Sequence, residues 1–263
     1  MKNIFKLFTL LLLFTSCEKE IDLNLDDKSG VLVVDGNVTD QAGPYYVQLT
    51  KSVPFTQANT YPAVTDATVT ISDQTGKQDQ LVYDANGRYK TTTLIGTPGN
   101  VYTLKIVVDG KTYTASSRLP KVVPLDSLTQ DSIKFGSEVR YAIRPMYTDP
   151  MDLGNNYRFI ISVNGKSNKA YNLISDNINN GKVNQRAFPI INDEDIEPEL
   201  KKGDVITVEM HGLDLPIYTY YNALAEITGR GGVTPANPPS NISGGALGRF
   251  SAHTVAKKSL TLK

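Results

Sequence analysis

The sequence predicts an all-β, or mainly β, fold: an immunoglobulin-like β-sandwich followed by a second β-rich domain with one helix. Three observations carry this. Apolar residues recur with a period of two, as in Tyr102, Leu104, Ile106 and Val108 against Thr103 and Lys105, which is the pattern of a strand with one buried face. Turn pairs such as Asn86-Gly87 and Asp109-Gly110 punctuate these runs at the spacing of a sandwich. Only one segment has helical spacing.

The elements follow in chain order. Lys2 and Lys6 precede the apolar run Leu7–Phe14, and Thr15 and Ser16 lead to Cys17, the single cysteine. A positive start, a short apolar core and small residues before a cleavage point describe a signal segment over 1–16, too short to span a bilayer as a helix. A cysteine at the end of such a segment is a bacterial lipobox, so Cys17 is expected to carry a lipid. Residues 17–29 are acidic and read as a tether. Residues 30–119 hold about seven strand-like runs, the density expected of a sandwich. Val31–Val38 is one; Tyr45, Val47 and Leu49 form a face of the next, opposite Tyr46, Gln48 and Thr50. Pro120 and Pro124 bracket an extended segment over 120–128 that reads as a linker. In the second domain, 129–263, strands are signalled by Tyr157, Phe159 and Ile161 and by Ile206, Val208 and Met210. The asparagine-rich stretch 177–184 reads as an exposed loop. A helix over about 214–228 is expected, with Asp214 as cap, Pro216 in the first turn and Gly229 as stop. A glycine- and proline-rich loop then leads to a closing strand from Arg249.

Composition narrows the function. Without residues 1–16 the chain keeps 25 basic residues against 27 acidic, so no strong field draws nucleic acid. His211 and His253 are the only histidines, and neither sits in a zinc-protease pattern. Asp22, Asn24 and Asp26 have the oxygen spacing of a calcium loop, but Asp27 and Val33 stand where it needs glycine and an acid. Asp193–Glu197 is a second acidic cluster, open to weak calcium binding. No phosphate-loop or esterase-elbow motif is present. The expectation is a protein with no cofactor, no metal and no catalytic residues.

Fourteen tyrosines and no tryptophan is a bias. Tyrosine suits binding surfaces, being large, fairly rigid and polar-tipped, although half of each cluster is expected to pack inward. The candidate binding surface is Tyr45, Tyr46, Tyr218, Asn241 and Arg249, for a glycan or peptide ligand.

Several segments together resemble a known family: the lipobox at Cys17, Val33–Asp40 with Gly43–Tyr46, Asp66–Asp73, Gly99–Leu104, Leu125–Leu128 and Asn237–Phe250. In this order they are similar to the Bacteroidota outer-membrane lipoproteins grouped as domain of unknown function 4249 (DUF4249). The resemblance implies an outer-membrane lipoprotein, often encoded beside a TonB-dependent transporter, and transfers no catalytic residue. It also implies that Asn241, Gly244, Gly245, Gly248 and Phe250 form a structural loop anchored by Phe250. Asp126-Ser127-Leu128 and Asp131-Ser132-Ile133 resemble the O-glycosylation sequon of that phylum, making Ser127 and Ser132 candidate acceptors. The expected function is a non-enzymatic accessory or ligand-binding partner of such a transporter in nutrient uptake, held to the outer membrane through lipid on Cys17, with the membrane face left open. A free-standing adhesin-like or envelope-structural lipoprotein is the alternative; a surface glycan hydrolase is the more distant one.

Overall fold

The computed structural model describes residues 29–54, 57, 60–136, 138–175, 180–190, 200–229 and 237–263. Cys17, the signal segment, the tether up to residue 28 and Asp193–Glu197 lie outside the described residues.

The chain is mainly β, as the alternation predicts. Its first half gives β1 (Leu32–Thr39), β2 (Tyr46–Lys51), β3 (Thr68–Asp73), β4 (Gln78–Gln80), β5 (Val82–Ala85), β6 (Arg88–Lys90), β7 (Val101–Val108) and β8 (Lys111–Arg118). The second half gives β9 (Ser127–Phe135), β10 (Glu138–Met146), β11 (Asn156–Val163), β12 (Lys166–Ser167), β13 (Asn172–Ser175), β14 (Phe188–Pro189), β15 (Val205–Leu213), the helix α1 (Leu215–Gly229) and β16 (Leu247–Thr261). One nine-stranded sheet runs β12-β11-β15-β16-β1-β2-β6-β5, with β13 also on β11. Two smaller sheets, β4-β3-β7-β8 and β14-β10-β9, complete the set.

β16 joins the halves. Its first part pairs in parallel with β1, from Val33↔Leu247 to Thr39↔His253. Its second part pairs antiparallel with β15, from Gly212↔Thr254 to Val205↔Thr261. Phe250 and Ala252 enter the first core with Val34, Leu49, Ile71 and Leu104. With the same parity, Ala256 and Leu260 pack against the second core, beside Phe159, Val208 and Ile143. Both cores therefore lie on one side of this strand.

The expected domain boundary is thus too simple. Residues 242–253 belong to the first sandwich in space: Ile242 bridges Ala115 of β8, and Ile242, Ala246, Phe250 and Ala252 are buried in the first core. The reason is geometric, since β1 has an open flank that only a distant segment fills. Nor is 120–128 a free linker. Val123 and Leu125 are buried in the second core, and β9 begins at Ser127. Asn184, expected in an exposed loop, is fully buried; its Nδ2 donates to Pro145 O at 2.8 Å and Arg186 O at 3.1 Å.

Buried carboxylates survive where donors surround them. Asp79 receives N–H groups from Thr92, Thr93 and Leu94 at 2.8, 2.6 and 2.8 Å and the Thr92 hydroxyl at 2.8 Å. Desolvation pushes its carboxyl up, but these donors outweigh it and hold it below the usual range.

Two tests follow from β16. A Cβ on Gly248, at φ +93, would stand 2.0 Å from Val34 O; Gly245, at φ +80, faces open space. Gly245→Ala is expected to cost only backbone strain, about 1–2 kcal/mol, whereas Gly248→Ala breaks the parallel pairing and costs several times that in urea unfolding. A chain ended after residue 128 is expected to show no cooperative unfolding, and a sharp transition from it would show that the sandwich stands without β16.

Candidate functional site

Three groups of polar side chains meet around α1. The first is the joint at its start. Asp214 caps the helix, accepting from Ile217 N at 3.2 Å, as the sequence predicts. Its other oxygen accepts from Ser117 Oγ and Arg118 N, both at 2.8 Å, and Ser117 Oγ in turn accepts from Ala252 N at 2.8 Å. One carboxylate thus ties β8 and β16 to the helix. Burial pushes it above the usual carboxylate range although three donors pull the other way.

The second is a cleft of about 480 Å³ beside that joint, bounded by Arg118, Pro120 and Lys121, the loop 152–157 and residues 212–216. Leu153 and Leu215 line it yet are 81% and 63% exposed, and Met151 nearby is 82% exposed. Large apolar side chains this open, set together at a concave site, mark a contact surface rather than core. Arg118, Lys121 and Asp152 supply charges of both signs, with Lys121 Nζ 3.9 Å from the Asp152 carboxylate.

The third lies on the outer face of the sheet, against α1. Register places Arg158 of β11 opposite His211 of β15, and β16 adds Arg249, Ser251 and His253 with alternating parity. The two imidazoles stack, centroids 4.5 Å apart, and His253 Nδ1 lies 3.0 Å from Ser251 Oγ. The Arg158 and Arg249 guanidiniums stand 4.1 and 5.0 Å from the centre of the Tyr221 ring. Arg249 also pairs with Asp35 at 3.0 Å. Burial first, then His211, Arg249 and Arg158, hold His253 well below the ordinary histidine value. His211 Nε2, 3.5 Å away, and Lys257 Nζ, 3.0 Å away, hold the Glu209 carboxyl down to about 2.

The expected surface residues divide. Tyr45 is corrected: it is 3% exposed, its ring in the first core, its hydroxyl donating to Gln41 O at 2.6 Å and accepting from Gly96 N at 2.9 Å. Tyr89 and Tyr102 do the same, accepting from Ala67 N at 3.0 Å and Thr97 N at 2.7 Å. Much of the tyrosine bias therefore pins loops to the core. Tyr46 is half-buried under Arg88, whose guanidinium is 4.6 Å from its ring centre. Tyr218 packs with α1 on Leu173 and Leu213. Asn241 acts as a piece of strand, its amide accepting from Phe250 N at 2.9 Å and donating to Phe250 O at 2.8 Å; it is no surface contact, because β16 uses both ends of that amide. Arg249 is largely covered. Ser127 and Ser132 are exposed on β9. The sequence reading missed Leu153, Leu215 and Arg158. Only Arg158 left a trace, a charge alternating with Tyr157 and Phe159. Among the described residues no three His, Cys, Asp or Glu side chains gather as a metal site would require, and no helix is long and apolar enough to cross a membrane.

Both His253 and Glu209 bind fewer protons folded than unfolded, so stability falls with pH: from about 6.5 downward through His253, and from about 4.5 toward 2 through Glu209. The thermal midpoint is expected to drop between neutrality and about pH 5, and His253→Gln to flatten that drop. An unchanged slope in the variant would contradict a neutral, buried His253.

Comparison with curated proteins gives no match. A family model does match residues 18–259, nearly the whole chain, and by it the chain belongs to the family described as Domain of unknown function (DUF4249).

Proposed function

We propose that this chain is a non-enzymatic, lipid-anchored outer-membrane protein that binds a TonB-dependent transporter and assists nutrient uptake. The anchor rests on the signal pattern ending at Cys17. The binding role rests on the cleft at the start of α1, where Leu153 and Leu215 stand open beside Arg118, Lys121 and Asp152.

The chemistry of the cleft favours a peptide segment over a sugar. Glycan sites use exposed aromatic faces as platforms, but the one aromatic ring in the lining, Tyr157, is 2% exposed. Aliphatic side chains flanked by charges of both signs match an extended loop carrying an apolar residue between polar ones. The polar groups around the cleft also have structural work: Asp214 caps α1 and holds β8, and Tyr157 donates to Asp149 at 2.6 Å. Recognition, rather than proton transfer, is what these groups support.

The test is recovery of partners from detergent-solubilised outer membrane, using tagged wild type, Leu153→Glu and Leu215→Glu. Wild type is expected to recover a TonB-dependent transporter near stoichiometry, and each variant to lose most of it while keeping its unfolding midpoint, because both side chains are exposed. Equal recovery by the variants would move the contact away from the cleft. Recovery of no transporter by wild type would overturn the accessory role in favour of a free-standing adhesin or structural lipoprotein.

A further inference from the structure

We propose that Arg158 and Arg249, framed by Tyr171, Tyr220 and Tyr221, form a site for an oxyanion group, a carboxylate or a phosphate, on the face of the sheet against α1. It stands apart from the cleft and does not depend on it.

Two guanidiniums lie at 4.1 and 5.0 Å from one ring centre, and among the described residues a single carboxylate, Asp35, answers them, on Arg249. Among the described residues, Arg158 is met by rings, Tyr221 and, at 5.6 Å, Tyr171. A half-buried guanidinium has given up hydration that a ring quadrupole replaces only in part. Two buried guanidinium donors on this face have no hydrogen-bond acceptor among the described residues, Arg158 Nε and Arg249 Nη1; His211 Nε2 has only the Glu209 carboxylate, at 3.5 Å. Native interiors rarely leave such donors unmet, and two guanidinium donors together call for an acceptor-rich, negatively charged group.

The neighbouring groups confirm the sign of the field. From β11 comes Arg158; from β15, Glu209 and His211; from β16, Arg249, His253 and Lys257; from β1, Asp35; from α1, Tyr220 and Tyr221. Glu209 is already engaged by Lys257 and His211, and Asp35 is the more exposed partner of its pair, 63% against 16% for Arg249. The excess at the rings is positive, and His253 is held neutral in part by it. Guanidinium forks match the planar oxygens of carboxylate and the edges of phosphate. Tyr171 and Tyr220, both half-buried, offer flat surfaces for whatever body carries the anion.

The two histidines, unique in the sequence, report on this site directly. The purified chain is titrated with sodium acetate and with inorganic phosphate, against sodium chloride at equal ionic strength, while the imidazole NMR resonances of His211 and His253 are followed. Saturable shifts with acetate or phosphate and none with chloride are expected; stronger binding of one assigns a carboxylate or a phosphate as the group taken. Arg158→Gln is expected to weaken that binding about tenfold or more, and Arg158→Lys, which keeps the charge without the fork, to restore part of it and to serve should Arg158→Gln unfold. Linear shifts equal to those of chloride, or the same affinity in Arg158→Lys as in wild type, would overturn the proposal and leave Arg158 as packing for Tyr221.

Discussion

Everything in this molecule leans on the two-sided pairing of β16. A strand of fifteen residues takes a parallel partner along its first half and an antiparallel one along its second, so two hydrophobic cores share one backbone. The close passage of Gly248 under Val34 O sets how near β1 can come, and Phe250 sets how deep the strand sits. The Asn241 amide then satisfies the backbone of Phe250 on the side away from β1. An exposed strand flank is a hazard for association; here the chain's own end closes it.

The polar joint at Asp214 is the second constraint. A buried carboxylate costs solvation, and burial prevails enough to raise its protonation range. It is retained because Ser117, Arg118 and Ile217 come from different elements and would otherwise leave donors unmet. That joint fixes where α1 starts, and with it two neighbouring surfaces: the apolar cleft at its first turn and the arginine–tyrosine face under its second. The two surfaces proposed for recognition, one aliphatic and one cationic, thus hang from a single capping residue.

How much of this was legible in the sequence varies with distance along the chain. Strands β1, β2, β3 and β7 were, because alternation needs only neighbours a few residues apart. The helix was, from Asp214 to Gly229, since caps and stops are local. Tyr45 was readable too: it shares parity with Val47 and Leu49, so its burial followed from the alternation that placed Tyr46 outside. The return of residues 242–253 to the first sandwich was not, as no local pattern announces a partner more than two hundred residues away. The Arg158 site was hidden for the same reason, because three strands and a helix must be in register before its two guanidiniums meet.

The parallel pairing also orders events in time. Val255 N donates to Asp40 Oδ1 across 215 positions, and the β1–β16 ladder has nearly the same span. Contacts of such sequence separation form late, since the chain's entropy is spent on closure before any reward arrives. The first strand therefore waits for the last, and the polypeptide has no finished half to set while synthesis continues. β1 thus keeps an open flank until β16 has been made and docked against it.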